Sequence, residues 1–199
     1  MALSSAAELP SPREPGMPYR ICLVCLGNIC RSPMAETVLR AELAAAGLDG
    51  AVVVDSAGTG DWHVGGAMDP GAQAALARRG YDGSAPKSHR ARQFRPSWLA
   101  QRDLILAMDA RNLADLRRMA RNPGSQGDDR IRLFGEVGGL TQAGDGDIPD
   151  PWGAGPDEFG HVLDLLSAAA PVITGQLARL VGPRGPAADG SGAGRRGGR

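Results

Sequence analysis

A nine-residue run near the start of the chain, Cys-Leu-Gly-Asn-Ile-Cys-Arg-Ser-Pro at positions 25–33, constrains the fold and the chemistry more than any other segment. The apolar residues 20–24 before it predict a short buried strand, and residues 34–46 after it predict a helix. Cys25 and Arg31 therefore lie at the two ends of a turn between a strand and a helix. Backbone N–H groups at a helix N-terminus lack intrahelical partners and attract anions, so this turn predicts a phosphate site.

The side chains of the turn suit an anion cradle. Gly27 permits backbone shapes that a side chain would forbid, and Asn28 tolerates the left-handed conformation. Ser32 and Pro33 fit the cap and the first position of the helix that follows. The guanidinium of Arg31 offers two parallel donors, which match two phosphate oxygens.

A cysteine at the floor of this cradle can act as a nucleophile. A helix N-terminus and a nearby cation favour the thiolate, which is the reactive form. The Ser32 hydroxyl could donate a hydrogen bond to the sulfur of Cys25 and help to keep it ionised. Cys22 lies in the middle of the predicted strand and is expected to be a small buried core residue.

Strands and helices alternate along the rest of the chain. Further strands are predicted at 51–56, 104–108 and 131–134. Helices are predicted to begin at Asp69 and Asp109, and a last amphipathic helix is expected to be kinked or split at Pro171. This alternation predicts an α/β fold with a parallel sheet covered on both faces, in which ligands bind beyond the carboxyl ends of the strands.

Composition bounds the partners and the compartment. The net charge is zero and the pI is near 6.8, so no general attraction to nucleic acid or membranes is expected. The three cysteines, Cys22, Cys25 and Cys30, are clustered and odd in number, which is not the pattern of a secreted disulfide framework. No signal segment is apparent, so we expect a cytoplasmic protein. No metal-site spacing is present, and no metal or other cofactor is expected.

The two ends of the chain differ from its middle. Residues 1–18 and 182–199 are rich in Pro, Gly, Ala or Arg and lack hydrophobic periodicity, so both are predicted to be disordered tails. Residues 19–181 are expected to form one domain. Arginine in place of lysine, with abundant Ala, Gly and Pro, indicates a GC-rich, bacterial source.

Four further segments complete a pattern that resembles the low-molecular-weight protein tyrosine phosphatases. They are Asp55-Ser56-Ala57-Gly58, Ser88 to Gln93, Met108-Asp109 with Asn112-Leu113, and Asp150-Pro151-Trp152-Gly153. The resemblance implies a three-layer, flavodoxin/Rossmann-like phosphatase fold with a four-stranded parallel sheet. It also implies hydrolysis of phosphotyrosine in proteins through a phosphocysteine intermediate, with Cys25 as nucleophile, Arg31 as phosphate clamp and Asp150 as general acid and base.

The resemblance assigns roles to further residues. The substrate phosphate would be surrounded by Leu26, Gly27, Asn28, Ile29, Cys30 and Arg31. A hydrogen-bond network behind the cradle would contain Asn28, Ser56 and His89, supported by Ser32. Asp109 would cap a helix and pair with Arg92. Trp62 and Trp152 would wall a deep pocket, and a deep pocket favours phosphotyrosine over the shorter phosphoserine.

The same resemblance bears on inhibition and redox control. Phosphate and vanadate would inhibit, and the protein would be a monomer or a weak dimer. A reversible disulfide between Cys25 and Cys30 could protect the nucleophile from over-oxidation.

Three alternatives stay open. A protein arginine phosphatase of the same fold carries threonine where Ile29 stands, so Ile29 favours phosphotyrosine. An arsenate reductase of this fold needs later cysteines, and none follows Cys30. A module that only binds phosphate or phosphopeptides would have no use for Cys25 and Asp150 together.

Overall fold

The computed structural model describes residues 8–81, 83–120, 128–140 and 146–182, and within them four strands form one parallel sheet. The strands are β1 (Tyr19–Cys25), β2 (Val52–Gly58), β3 (Leu104–Ala107) and β4 (Ile131–Leu133). The helices are α1 (Arg31–Ala45), α2 (Pro70–Arg78), α3 (Ser84–Ser88), α4 (Ala110–Ala120), α5 (Phe134–Val137) and α6 (Pro156–Val181). The predicted α/β class and the parallel four-stranded sheet are confirmed.

The order of the strands in the sheet is β2-β1-β3-β4. The chain leaves β1 toward one side to form β2 and later crosses to the other side to form β3. The carboxyl end of β1 is therefore a topological switch point, where open α/β sheets bind their ligands. Cys25 is the last residue of β1 and stands opposite Gly58, the last residue of β2.

Two layers of side chains cover the sheet because its central strands are apolar on both faces. On one face the buried residues of α1 and α6 join the core that contains Ile21 and Leu23. On the other face Cys22 and Val24 pack with Phe94 and residues of α4. Cys22 is fully buried, as predicted. A core on both sides holds the end of β1, and with it Cys25, in place.

The last helix, α6, runs unbroken through Pro171, so the predicted split is wrong. Pro171 lies on the exposed side of the helix, where water can satisfy a carbonyl that loses its helical partner. By length and composition α6 could cross a membrane. Its apolar face, which includes Phe159, Leu166 and Ile173, is instead buried in the core against α1 and α2.

The edge strand β2 is capped along its open side. Arg40 donates from Nε and Nη2 to the carbonyl oxygen of Val54 at 3.0 and 2.5 Å, and Arg92 Nε donates to the carbonyl of Ser56 at 2.9 Å. The N–H and C=O groups of Gly58 pair with the 92–94 segment. These bonds occupy groups through which an edge strand could otherwise pair with another chain.

The segment before β1 packs on the domain, although its composition predicts disorder as far as residue 18. Leu9 is buried in the core, and the Tyr19 hydroxyl donates to the carbonyl of Pro10 at 2.9 Å. The backbone N–H of Arg13 donates to Asp103 Oδ1 at 2.6 Å. The contact of Arg13 with Asp103 joins residues 90 positions apart, which local composition does not reveal. The rest of the predicted tails, 1–7 and 183–199, lies outside the described residues.

Candidate active site

The turn after β1 forms a cradle around the sulfur of Cys25. Asn28 has a positive φ of 56°, and this conformation directs its backbone N–H to Cys25 Sγ at 3.2 Å. Asn28 therefore adopts the left-handed conformation that an asparagine was predicted to tolerate at this position. Gly27 is needed for space, because a Cβ there would lie 2.8 Å from His63 Cδ2. A Cβ on Gly58 would lie 2.6 Å from the carbonyl oxygen of Leu26, so Gly58 lets the turn pass close to β2.

The side chain of Ser32 contacts the sulfur of Cys25 and does not cap helix α1. Helix α1 already begins at Arg31, its N-cap is Cys30, and no side chain caps it, so the predicted capping role of Ser32 is wrong. Ser32 Oγ lies 3.0 Å from Cys25 Sγ and 3.2 Å from the carbonyl oxygen of Ala57. The predicted contact between the hydroxyl and the sulfur is present.

A buried network behind the cradle joins Asn28, Ser56 and His89. Asn28 Nδ2 donates to Ser32 Oγ and to Ser56 Oγ, each at 2.9 Å, and Asn28 Oδ1 accepts from the backbone N–H of Arg92 at 2.9 Å. His89 Nε2 lies 2.7 Å from the carbonyl oxygen of Asn28. A carbonyl only accepts, so Nε2 carries the hydrogen. Burial lowers the pKa of His89, which is therefore neutral at physiological pH.

Arg31 is 2% exposed and links three parts of the site. Its Nη1 donates to Asp109 Oδ2 at 2.5 Å and to the carbonyl oxygen of Ile148 at 3.1 Å, and its Nη2 donates to Asp150 Oδ2 at 2.7 Å. Its Nε is buried and has no hydrogen-bond partner among the described residues. A buried donor of this kind is costly unless an acceptor reaches it, and a bound phosphate would supply one.

Asp109 pairs with Arg31, and the predicted partner Arg92 is wrong. Arg92 Nη2 instead lies 3.2 Å from Asp55 Oδ2. The predicted cap is present, because Asp109 Oδ1 accepts from the backbone N–H of Asn112 at 2.6 Å. Arg31 is buried and Arg92 is half exposed. A buried charge needs a counter-charge more than an exposed one does, so the carboxylate of Asp109 stabilises the protein more beside Arg31 than it would beside Arg92.

The loop that carries Asp150 is fixed at its base. The N–H of Ile148 donates to the carbonyl of Met108 at 2.7 Å, and Asp147 Oδ1 accepts from the N–H of Ala110 at 2.9 Å. The side chain of Asp150 is 40% exposed and reaches the rim of the cradle. A carboxylate is thus held near the sulfur on a short, anchored loop.

A cleft of about 470 Å³ opens above the cradle. It is lined by Cys25, Leu26, Gly27, Ile29, Cys30, Trp62, His63, Asp150 and Trp152. Trp62 and Trp152 are 62% and 64% exposed, and the ring centroid of His63 lies 6.2 and 6.5 Å from theirs. The predicted pair of tryptophans therefore does line the cleft, and the ring of His63 lies near both.

Cys22, Cys25 and Cys30 are all free of disulfide bonds, and Cys30 lies beside Cys25 on the cleft. Burial, reinforced by the negative charges of Asp69, Cys25 and Asp150, raises the pKa of Cys30 well above its usual range. Cys30 is therefore a thiol at neutral pH and is a poor nucleophile. In the described part of the chain, no group of three His, Cys, Asp or Glu side chains is arranged to hold a metal.

Comparison with known proteins agrees with this geometry. The family model described as low molecular weight phosphotyrosine protein phosphatase matches residues 20–181. The chain belongs to this family. The matched range covers the cradle, the network behind it and the Asp150 loop, so the family resemblance of the sequence is confirmed.

Relatives and solved structures place the chain among phosphatases. It is 46% identical over 164 residues to the low molecular weight protein-tyrosine-phosphatase of Streptomyces coelicolor, covering 82% of this chain and 94% of the relative. The protein tyrosine phosphatase of Entamoeba histolytica superimposes with a TM-score of 0.72 at 30% identity, covering 81% and 97%. A cysteine-to-serine mutant of the arginine phosphatase YwlE, solved with its active-site serine phosphorylated, superimposes with a TM-score of 0.67 at 26% identity, covering 80% and 96%. The protein is accordingly an enzyme of the hydrolase class.

Two residues of this family member's site were not predicted from its sequence. His63 forms part of the cleft wall, yet a histidine in a Gly-rich loop gives no sign of which neighbours it will meet. Glu36 accepts a hydrogen bond from Ser56 Oγ at 2.6 Å. Its position one helical turn after Ser32 could have placed it on the same face of α1.

Proposed function

We propose that this enzyme hydrolyses phosphotyrosine in proteins through a phosphocysteine intermediate. The observation that carries the proposal is the surroundings of Cys25 Sγ. A backbone N–H and a hydroxyl lie 3.2 and 3.0 Å from the sulfur, on the floor of a cleft whose rim bears Asp150. Arg31 contacts that same carboxylate and keeps a buried Nε free for a phosphate oxygen.

In the first step the thiolate of Cys25 attacks phosphorus. A sulfur–phosphorus bond forms while the bond between phosphorus and the tyrosine oxygen breaks. Asp150, as a carboxylic acid, gives its proton to the departing oxygen, so tyrosine leaves neutral. Arg31 and the N–H groups of the turn stabilise the negative charge on the equatorial phosphate oxygens in the transition state.

In the second step water hydrolyses the phosphocysteine. The carboxylate of Asp150 takes a proton from the water, whose oxygen bonds to phosphorus as the phosphorus–sulfur bond breaks. Phosphate leaves, and the thiolate of Cys25 and the acid form of Asp150 are restored. Phosphate and vanadate, which resemble the product and the transition state, are expected to inhibit competitively.

The walls of the cleft support an aromatic substrate. Trp62, His63 and Trp152 line the cleft with aromatic rings, and Ile29 adds an apolar side chain. A phenyl ring would be covered by such walls, whereas the shorter side chain of phosphoserine would not carry its phosphate to the sulfur. We infer a cytoplasmic protein phosphatase that acts on phosphotyrosine as a monomer or weak dimer.

Phosphoarginine is a second candidate substrate, favoured by the similarity to the arginine phosphatase. Its guanidinium is planar and could also lie between the aromatic walls. Apolar Ile29 gives this polar group no hydrogen bond, so we expect phosphotyrosine to be preferred. Turnover of matched phosphotyrosine and phosphoarginine peptides decides between them, and a larger kcat/KM for phosphoarginine would reverse the assignment.

The direct test of the reaction is hydrolysis of p-nitrophenyl phosphate. We expect the wild-type enzyme to be active and Cys25→Ser to be inactive while it still binds phosphate, because serine keeps the cradle and removes the thiolate. Turnover that survives Cys25→Ser would refute the mechanism.

A further inference from the structure

The positions of the heavy atoms determine donor and acceptor in the hydrogen bonds that the side chain of Asn28 makes behind the cradle. Asn28 Oδ1 accepts from the backbone N–H of Arg92, so Nδ2 is the atom that faces the two serines. The two hydrogens of Nδ2 go to Ser32 Oγ and Ser56 Oγ. Each serine oxygen therefore receives one hydrogen from Asn28 and directs its own hydrogen elsewhere.

The hydroxyl groups of Ser32 and Ser56 donate their hydrogens to different acceptor atoms. The single hydrogen of Ser32 Oγ has two acceptors in reach, Cys25 Sγ at 3.0 Å and the carbonyl oxygen of Ala57 at 3.2 Å. An ionised sulfur can only accept and is the charged and nearer of the two, so Ser32 donates to Cys25 Sγ when the sulfur is a thiolate. Ser56 donates to Glu36 Oε2 at 2.6 Å, and a carboxylate is likewise only an acceptor. The other carboxylate oxygen, Glu36 Oε1, pairs with Arg40 Nη2 at 2.9 Å. Glu36 thus terminates a chain of hydrogen bonds whose other end is the nucleophile.

We propose that Glu36 is a positioning residue for the catalytic loop, acting through Ser56 and Asn28 on the sulfur of Cys25. This inference rests on the proposed function for its kinetic consequences. Ser56 is 1% exposed, so its hydroxyl would lose a charged acceptor in a buried site if Glu36 were replaced. The strained backbone of Asn28 persists because surrounding bonds hold it, and that backbone directs an N–H at the sulfur.

Glu36 lies behind the loop and does not line the cleft. Its replacement should therefore change the reactivity of the sulfur more than the contacts with the substrate. We expect a lower kcat and slower alkylation of Cys25 by iodoacetate, with little change in KM. A defect that came from general destabilisation would not follow this pattern.

The test compares two side chains of similar length at one position. Glu36→Met removes the acceptor, and we expect kcat on p-nitrophenyl phosphate to fall about tenfold, with KM within about twofold of wild type. Glu36→Gln keeps an acceptor oxygen for Ser56, so we expect kcat within about threefold of wild type. Thermal melting shows which variants are folded, and Glu36→Ala replaces Glu36→Met if the latter does not fold.

Arg40→Ala is the matched control. It removes the ion pair to Glu36 and the two bonds to the carbonyl of Val54, but leaves Glu36 as the acceptor of Ser56. We expect a lower melting temperature with kcat near that of wild type. If Arg40→Ala lowers kcat as much as Glu36→Met does, Glu36 acts through stability and the inference fails.

A double substitution tests the path through Ser56. Because Glu36 is proposed to act through that hydroxyl, Ser56→Ala and Ser56→Ala with Glu36→Met should have the same kcat. Additive losses, or wild-type kcat and alkylation in Glu36→Met, would overturn the inference. Alkylation needs no substrate, so it tests Glu36 even if p-nitrophenyl phosphate is not hydrolysed, which would refute only the proposed function.

Discussion

Replacing Asp150 by asparagine removes the proton that the departing tyrosine is proposed to take and keeps the size of the side chain. Asp150 Oδ2 accepts from Arg31 Nη2 at 2.7 Å, and Asp150 Oδ1 lies 3.3 Å from the N–H of Trp152. The amide oxygen of asparagine can keep one of these bonds. The loop is also held by the bond from Ile148 N–H to the carbonyl of Met108. The variant should therefore fold and bind phosphate much as the wild type does.

The expected loss follows from the role of the acid. A positioned general acid contributes about 10²–10⁴-fold to the rate, which corresponds to roughly 3–5.5 kcal/mol of barrier. We expect kcat of Asp150→Asn to fall by this factor on phenyl phosphate, whose leaving group needs the proton. The loss should be smaller on p-nitrophenyl phosphate, because that leaving group departs as a stable anion. KM should change little, since the proton is needed mainly in the transition state.

Steady-state kinetics on a series of substituted phenyl phosphates measure both effects. The rate of Asp150→Asn should depend more steeply on leaving-group acidity than that of the wild type. Asp147→Asn is the control on the same loop, because asparagine can still accept from the N–H of Ala110 at that position. An unchanged rate of Asp150→Asn on phenyl phosphate, or an equal loss in Asp147→Asn, would refute the assignment of the acid.

Three further changes test the fold and the network. Burial lowers the pKa of His89 below its ordinary value of 6.5, so the unfolded chain binds this proton more readily than the folded chain as the pH falls through 6.5. Urea titrations from pH 8 to 5 should therefore show the free energy of unfolding falling as the pH falls, less steeply in His89→Gln. Tyr19→Phe leaves the carbonyl of Pro10 without its partner and should cost about 1 kcal/mol in the free energy of unfolding without changing kcat, and an unchanged urea midpoint would contradict that contact. Gly58→Ala forces a Cβ toward the carbonyl of Leu26 and should lower kcat while the protein stays folded, whereas wild-type kcat would show that the turn tolerates the contact.

Local patterns were enough to predict the cradle. The strand, the turn and the helix from Tyr19 to Ala45 are continuous in sequence, so apolar runs and the spacing from Cys25 to Arg31 carry their geometry. Asn28 was predicted to tolerate a left-handed backbone because few other residues do so. The positions of Cys25 and Arg31, the proposed nucleophile and clamp, could therefore be predicted from the sequence.

The ion-pair partners of the buried charges could not be predicted from the sequence, because they lie on distant segments of the chain. Arg31 meets Asp109 across 78 positions and Asp150 across 119, and no local pattern indicates which arginine a carboxylate will choose. The family resemblance suggested Arg92 for Asp109 and was wrong in this detail. Burial decides the pairing, since the buried guanidinium of Arg31 has the greater need of a counter-charge.

Composition also misled at the N-terminal side of the domain. A segment with several prolines and few apolar residues is usually too poor in buried surface to be ordered. Here Leu9 is buried in the core, and the backbone N–H of Arg13 donates to a side chain of the domain. Each of these is an isolated contact and produces no periodic pattern in the sequence that could have predicted it.

The central claim is that phosphate passes through a covalent bond to the sulfur of Cys25. Asp150→Asn with p-nitrophenyl phosphate should accumulate the intermediate, because a good leaving group forms it while its hydrolysis still needs the base. Rapid acid quench followed by peptide mass spectrometry would identify the modified residue. We predict one added phosphate in this variant, on the peptide that contains Cys25 and at Cys25 itself. Phosphate on another residue, or turnover with no phosphorylated protein at any time point, would contradict the account.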